Sequence, residues 1–289
     1  MSAEPAEGFR ERRYSAQDGL SLYFRDYGDP LSEAHPILCL TGLTRNCKDF
    51  HDFALRLAGH RRVVCPDYRG RGRSEYDPDW RNYRPEAYVN DLFHLLAAAN
   101  LRRVVICGMS LGGLLSMGLA VMVPAQIAGV VLNDVGPEVN RSGLARIMDY
   151  IGRDHPQPDL DAATAYVKDL FPQLGLESEE AWRSFAEATF RQADGGAWHV
   201  DWDINLAKAL DHDVPDLWAY YQALVPLPVL ALRGQLSDVL SAETFARMAQ
   251  VKPDLVQKTI SGVGHVPVLA NPQVEQAIDD FLARIDGRS

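Results

Sequence analysis

Long apolar runs are missing from this 289-residue chain. Nowhere do about 18 uninterrupted apolar residues occur, which argues against a membrane-spanning helix. The amino-terminal MSAEPAEGFRERR has no apolar stretch of the length a secretory signal needs, so a cytoplasmic protein is expected. Cysteine is sparse: Cys39, Cys47, Cys65 and Cys107 are the four present. They lie far apart, with no C-x-x-C or Cys/His spacing that would suit zinc, so buried reduced thiols are expected and no metal. Positive charge is also in deficit, with 29 Lys and Arg against 39 Asp and Glu for a net charge of -10. Such a field repels nucleic-acid phosphates and anionic membranes, so neither is an expected partner. The most basic stretch, RRVVCPDYRGRGR (61–73), is broken by a strand and a turn and reads as solvated charge. Internal repeats are absent, and nothing in the sequence indicates an oligomeric state.

What is present is a folding chain. A hydrophobic fraction of 47% is ordinary for a protein with a sizeable core, and the length suits one large α/β domain with an insertion. Asp18-Gly19 between 10–16 and 20–27 predicts an opening β-hairpin. Continuous apolar runs then follow at PILCLT (36–41), RVVCPD (62–67), VVICG (104–108) and IAGVVLND (127–134), as in strands covered on both faces. Helical spacing separates them at 48–58, 85–100 and 111–123. This alternation predicts βαβ units and a mostly parallel sheet with helices on both faces. It stops near Gly136-Pro137 and resumes at PLPVLALRG (226–234), followed by a helix from about Ser241, a strand at 256–260 and a helix from 272. The expected division is a core of 1–135 and 227–289 with an all-α cap, 136–226, inserted at the carboxyl edge of the sheet. Trp182, Trp198, Trp202 and Trp218 fall within the cap. Most would form its small core, while Trp198 and Trp202 are candidates to line a ligand pocket.

Within this frame Gly108-Met109-Ser110-Leu111-Gly112 fits G-x-S-x-G, after a predicted buried strand and at the start of a helix. A tight strand-to-helix turn strains the serine backbone and brings neighbouring chain close, which requires small flanking residues. Helix capping would explain a serine, but not glycine on both sides of it. A serine hydroxyl needs a base within hydrogen-bond reach and a group to orient that base. His265, in the loop SGVGHVP after strand 256–260, is the expected base. Asp238, in RGQLSDVL after strand 228–233, is the expected acid. Asp134, ending the strand after the nucleophile helix, is the rival acid and would equally anchor the root of the cap. Oxyanion donors are expected at the N–H of Leu111, favoured by the helix dipole, and of Leu43, where Gly42 permits an unusual backbone. Thr44 and Arg45 lie near enough in sequence to touch substrate.

The motifs TGLT, DYRGRGRS (67–74), GMSLGG, RGQLSD and GVGH, in this order over nearly the whole chain, resemble the α/β-hydrolase superfamily. LNDVGPE before a helical cap is similar to its single-cap group of esterases, lactonases, carbon-carbon bond hydrolases and proline iminopeptidases. The resemblance implies the α/β-hydrolase fold and a cofactor-free serine hydrolase acting on an ester-like bond of a small carbonyl substrate, and the aromatic cap suggests that this substrate is apolar. Ser110 stands where related dehalogenases and epoxide hydrolases carry aspartate, which argues against both. The usual His-Gly of the first oxyanion segment is Thr41-Gly42 here, so a side-chain contribution from that histidine is absent. Two alternatives stay open: hydrolytic carbon-carbon cleavage of a ring-fission diketone, and a small-molecule receptor that retains the fold without turnover. The DYRGRGRS stretch reads as structural, a turn held by Asp67 and arginine-backbone contacts.

Overall fold

A computed structural model describes residues 8–210 and 216–287; the first residues of the amino-terminal stretch read above lie outside them. The hairpin is present, β1 (Phe9–Ser15) against β2 (Ser21–Tyr27), with Gly19 at φ +91° in its turn. Next come β3 (Ile37–Leu40), α1 (His51–Ala58), β4 (Val63–Pro66), α2 (Pro85–Ala98), β5 (Val104–Met109), α3 (Leu111–Met122) and β6 (Ile127–Asn133). Every residue of β3, β4, β5 and β6 is buried, as continuous apolar runs require when helices cover both faces. After an insertion the chain returns to the sheet as β9 (Val229–Gly234), α9 (Ala242–Val251), β10 (Val256–Ile260) and α10 (Pro272–Ile285).

The strands form one eight-stranded sheet in the order β1-β2-β4-β3-β5-β6-β9-β10. It is parallel from β4 to β10, while the amino-terminal hairpin joins it antiparallel through β2 and β4. Register fixes the site: Met109, last in β5, lies opposite Asn133, last in β6, and Asn133 lies opposite Leu232 of β9. The residues following these strands therefore emerge side by side at one carboxyl edge, where open parallel sheets place ligands. Beneath, Leu115 and Leu119 of α3 are fully buried against the sheet, each contributing about 1.5–3 kcal/mol by removal from water.

The insertion between β6 and β9 carries α4 (Arg141–Ile151), α5 (Leu160–Leu170), α6 (Glu179–Thr189), α7 (Leu206–Ala209) and α8 (Trp218–Gln222). It is not wholly helical, because β7 (Phe190–Gln192) and β8 (Trp198–Val200) pair antiparallel. Each of these strands has three residues, too few to show a periodicity, although the Asp194-Gly195-Gly196 turn between them is a hairpin signal. The DYRGRGRS turn seats this insertion: Gly72 N–H donates to Asp201 and Asp203 N–H to Gly70. Asp67 is itself buried and accepts from the N–H groups of Cys47 and Arg73, which holds the turn as the sequence suggested.

All four cysteines are unpaired and buried, and burial pushes the Cys107 thiol up to about 12. Among the described residues no helix is long and apolar enough to cross a membrane.

Candidate active site

Ser110 occupies the turn between β5 and α3 at φ 50°, ψ -115°, a left-handed setting that non-glycine residues adopt only under tertiary constraint. The flanking glycines answer to contact. A Cβ on Gly112 would fall 2.1 Å from the carbonyl oxygen of Leu40, and one on Gly108 would lie 2.6 Å from the backbone of Gly112 and Gly113. Helix α3 can start this close to β3 and β5 only because both positions lack a side chain.

Ser110 Oγ is 2.9 Å from His265 Nε2. The imidazole arrives on the loop after β10, and that loop is tied down on both sides: Gly264 N–H donates to Gln173 of the insertion, and Asn133 Nδ2 to the Pro267 carbonyl. Behind the ring, His265 Nδ1 is 2.7 Å from Asp134 Oδ2. An ionised carboxylate there selects the Nδ1–H tautomer, which leaves Nε2 to accept the serine proton.

The carboxylate behind the imidazole is therefore Asp134 and not Asp238, and the correction has a physical cause. Asp134 directly follows β6, next to the strand bearing the serine, and sits at φ 58°, fully buried. Its Oδ1 accepts from Gly234 N–H at 2.8 Å and its Oδ2 from Ser237 Oγ at 2.6 Å. Asp238 is held elsewhere. Arg146 of α4 grips it with two bonds, Nε to Oδ2 at 2.7 Å and Nη2 to Oδ1 at 2.9 Å. The hydrogen bond from Arg146, together with its positive charge, keeps the Asp238 carboxyl below its ordinary value.

The two N–H groups expected to face an oxyanion are open. Gly112 N–H is taken up by the Thr41 carbonyl and Arg45 N–H by Gly42, whereas Leu43 and Leu111 N–H have no acceptor among the described residues. Gly42 does not have a left-handed φ; its lack of a side chain instead leaves room beside Ser110 Cβ, 3.8 Å from where its own Cβ would stand. A contribution that the sequence did not reveal comes from Arg71, fully buried, whose Nε donates to the Leu43 carbonyl at 2.8 Å while Nη1 donates to Tyr88 Oη. This fixes the Leu43–Thr44 peptide, the one next to the peptide that carries the Leu43 N–H. An arginine inside a turn motif gives no sequence signal for such a role.

A cavity of about 480 Å³ opens over the serine, bordered by Ser110, His265, Leu43, Thr44, Arg45 and Arg146, within the usual range for small-molecule sites. Its aromatic wall is Tyr150, Phe171, Phe185 and Phe53. Trp198 and Trp202 do not border it. Trp202 is buried, its indole N–H bound to the Ile151 carbonyl at 2.9 Å, and Trp198 belongs to β8; both build the core of the insertion. Arg45 spends its guanidinium on Asp49 and Thr189 and lies 4.1 Å above the Phe185 ring, joining the Leu43 loop to α6.

The sequence profile of the alpha/beta hydrolase family matches residues 37–277. The chain is 34% identical to a 3-hydroxybutyrate-oligomer hydrolase of Cupriavidus necator, over 94% of this chain and 96% of the relative. It is 26% identical to a 2-(acetamidomethylene)succinate hydrolase of Mesorhizobium japonicum, over 85% and 87% of the two chains. The crystal structure of an alpha/beta hydrolase from Novosphingobium aromaticivorans superposes with a TM-score of 0.91 at 40% identity, over 96% of this chain and 99% of that one. With its mostly parallel sheet, its strained serine turn and a match over most of its length, this chain belongs to the alpha/beta hydrolase family and is a hydrolase.

Proposed function

We propose that the protein is a serine hydrolase that cleaves an ester of a small hydroxyacid-type substrate, with Ser110, His265 and Asp134 as its triad. The observation that carries this reading is the line from Ser110 Oγ to His265 Nε2 at 2.9 Å and from Nδ1 to Asp134 at 2.7 Å. The substrate class draws support from the 3-hydroxybutyrate-oligomer hydrolase to which the chain is 34% identical.

In this mechanism Ser110 Oγ attacks the ester carbonyl carbon as His265 Nε2 takes the hydroxyl proton, and Asp134 stabilises the imidazolium. The carbonyl π electrons move to oxygen, which accepts hydrogen bonds from Leu43 and Leu111 N–H. Collapse of this intermediate breaks the carbonyl-to-alkoxy C–O bond, and His265 hands its proton to the departing alcohol. Water, deprotonated by the same imidazole, then attacks the acyl-serine carbon; collapse breaks the bond from that carbon to Ser110 Oγ, the acid leaves, and His265 returns its proton to Oγ. Every step uses side chains and backbone of this chain.

The test is a panel of 3-hydroxyacid oligomers, p-nitrophenyl esters, lactones and thioesters assayed with the protein and its Ser110→Ala variant, together with labelling by a fluorophosphonate. Ester turnover lost in the variant, with label on Ser110, is expected. Undiminished turnover in a folded Ser110→Ala protein removes the nucleophile, and far faster consumption of a vinylogous 1,5-diketone than of any ester overturns the ester reading.

A further inference from the structure

Three cationic side chains border the cavity: Arg45, Lys48 and Arg146. Two are already committed. Arg45 uses Nε and Nη2 on Asp49 and Nη1 on Thr189. Lys48 Nζ bonds the Glu187 carbonyl and pairs with Asp201 at 3.0 Å. Arg146 differs: its Nε and Nη2 edge is fixed on Asp238, while Nη1 has no partner among the described residues. Its side chain is 35% exposed, so this donor is not sealed in protein.

We propose that Arg146 is the specificity-determining residue of this hydrolase, binding through its open edge a carboxylate carried by the substrate. The proposal rests on the ester-hydrolase reading above and names a feature of the substrate: a free acid on the same molecule as the scissile ester.

The setting suits the task. A guanidinium matches a carboxylate in shape, and its bonds to an ion are about twice as strong as neutral ones. Its orientation is set before substrate arrives, because Asp238 grips one edge and the start of α4 is pressed against the 238–239 backbone. A Cβ on Gly143 would come within 2.6 Å of the Asp238 carbonyl oxygen, and Asn140 N–H donates to the Val239 carbonyl. Preorganisation of this kind removes ordering cost from binding. Asp238, which the sequence pattern offered as the catalytic acid, becomes the positioning residue for Arg146. Of the carboxylates bordering the cavity, Asp49 is taken by Arg45, and Asp52, Glu180 and Glu275 are not bonded to Arg146, so its free edge stays open.

The experiment reads binding, which is independent of turnover. The 3-hydroxybutyrate dimer acid and the same dimer as its terminal carboxamide are titrated calorimetrically into full-length Ser110→Ala protein. The acid is expected to bind about tenfold tighter or more, the size of a charge-assisted pair, and this preference is expected to fall below about twofold in Ser110→Ala/Arg146→Gln with little change for the amide. Equal binding of acid and amide by Ser110→Ala, or a preference that survives in a folded Arg146→Gln double variant, overturns the proposal. Should the glutamine variant not fold, Arg146→Lys keeps the cation without its planar fork: a preference cut several-fold supports the assignment, and an unchanged one overturns it. Failure of the ester-hydrolase reading shows separately, as unlabelled Ser110 and no ester turnover in the unmutated protein.

Discussion

His265 Nδ1 and Asp134 Oδ2 lie 2.7 Å apart although 131 positions separate them in the chain. The carboxylate comes from the end of the strand next to the nucleophile's own, and it reaches the imidazole fully buried, with backbone and hydroxyl donors on its oxygens. Removing its charge leaves those donors facing an amide and favours the wrong imidazole tautomer. Asp134→Asn is therefore expected to lower kcat about 10³–10⁴-fold, as loss of the acid does in a serine triad. Asp238→Asn is expected to leave kcat on a neutral p-nitrophenyl ester within about tenfold, since it touches Arg146 and not the ring. Steady-state kinetics of the two variants side by side decide which carboxylate works; equal losses would refute the assignment.

The Arg146–Asp238 pair also joins the insertion to the core in a pH-dependent way. Arg146 holds the Asp238 carboxyl below its ordinary 3.8 in the folded protein. A depressed folded value means that the pair's contribution to stability is complete above the unfolded value near 3.8 and disappears as pH falls through the lower, folded one. The difference in unfolding free energy between the protein and Asp238→Asn, measured in urea from pH 7 down to pH 3, should stay flat and then shrink below about pH 4. A difference that grows on acidification contradicts the pairing.

Close approach at the serine turn gives a stability prediction. Gly112→Ala would place a methyl group 2.1 Å from the Leu40 carbonyl oxygen, an overlap with rigid backbone on both sides. Forced overpacking of this kind costs about 1–3 kcal/mol or more, and α3 would have to shift from β3. Thermal melting should drop by several degrees and ester turnover should fall with it; an unchanged melting temperature would show that the helix start is not as tightly apposed as described.

The wall of the cavity is phenylalanine and tyrosine rather than tryptophan. Phe171→Ala is expected to raise KM for longer acyl esters several-fold by removing apolar contact, whereas Trp198→Phe should leave KM within about twofold. A KM increase confined to the Trp198 variant would return that residue to the pocket.

The loop bearing Leu43 depends on Arg71, whose guanidinium is fully buried and bonded to the Leu43 carbonyl. Arg71→Met removes that bond together with those to the Arg69 carbonyl and the Tyr88 hydroxyl, and each buried polar partner left unsatisfied costs about 1–3 kcal/mol. Where the variant still folds, kcat should fall more than KM rises, because an oxyanion donor acts on the transition state. An equal kcat in a folded variant would uncouple Arg71 from the site.

What the sequence determined by itself is local. The glycines around Ser110, the apolar runs of β3 to β6 and the Gly-rich loop carrying His265 each show their role within about ten residues, because a tight turn, a doubly covered strand and a confined imidazole each impose a short-range pattern. The turn held by Asp67 was legible for the same reason. Only the tertiary structure decided which of two strand-end aspartates meets the imidazole. Asp134 and Asp238 both follow strands that lie side by side in the sheet, β6 and β9, and both are within reach of the same edge. The choice falls to groups distant in the chain: Gly234 and Ser237, which hold Asp134 in place, and Arg146, which takes Asp238 for itself. The same holds for Trp202, whose burial in the insertion depends on partners such as the Ile151 carbonyl, and for the open edge of Arg146, which exists only because α4 is laid against the loop after β9.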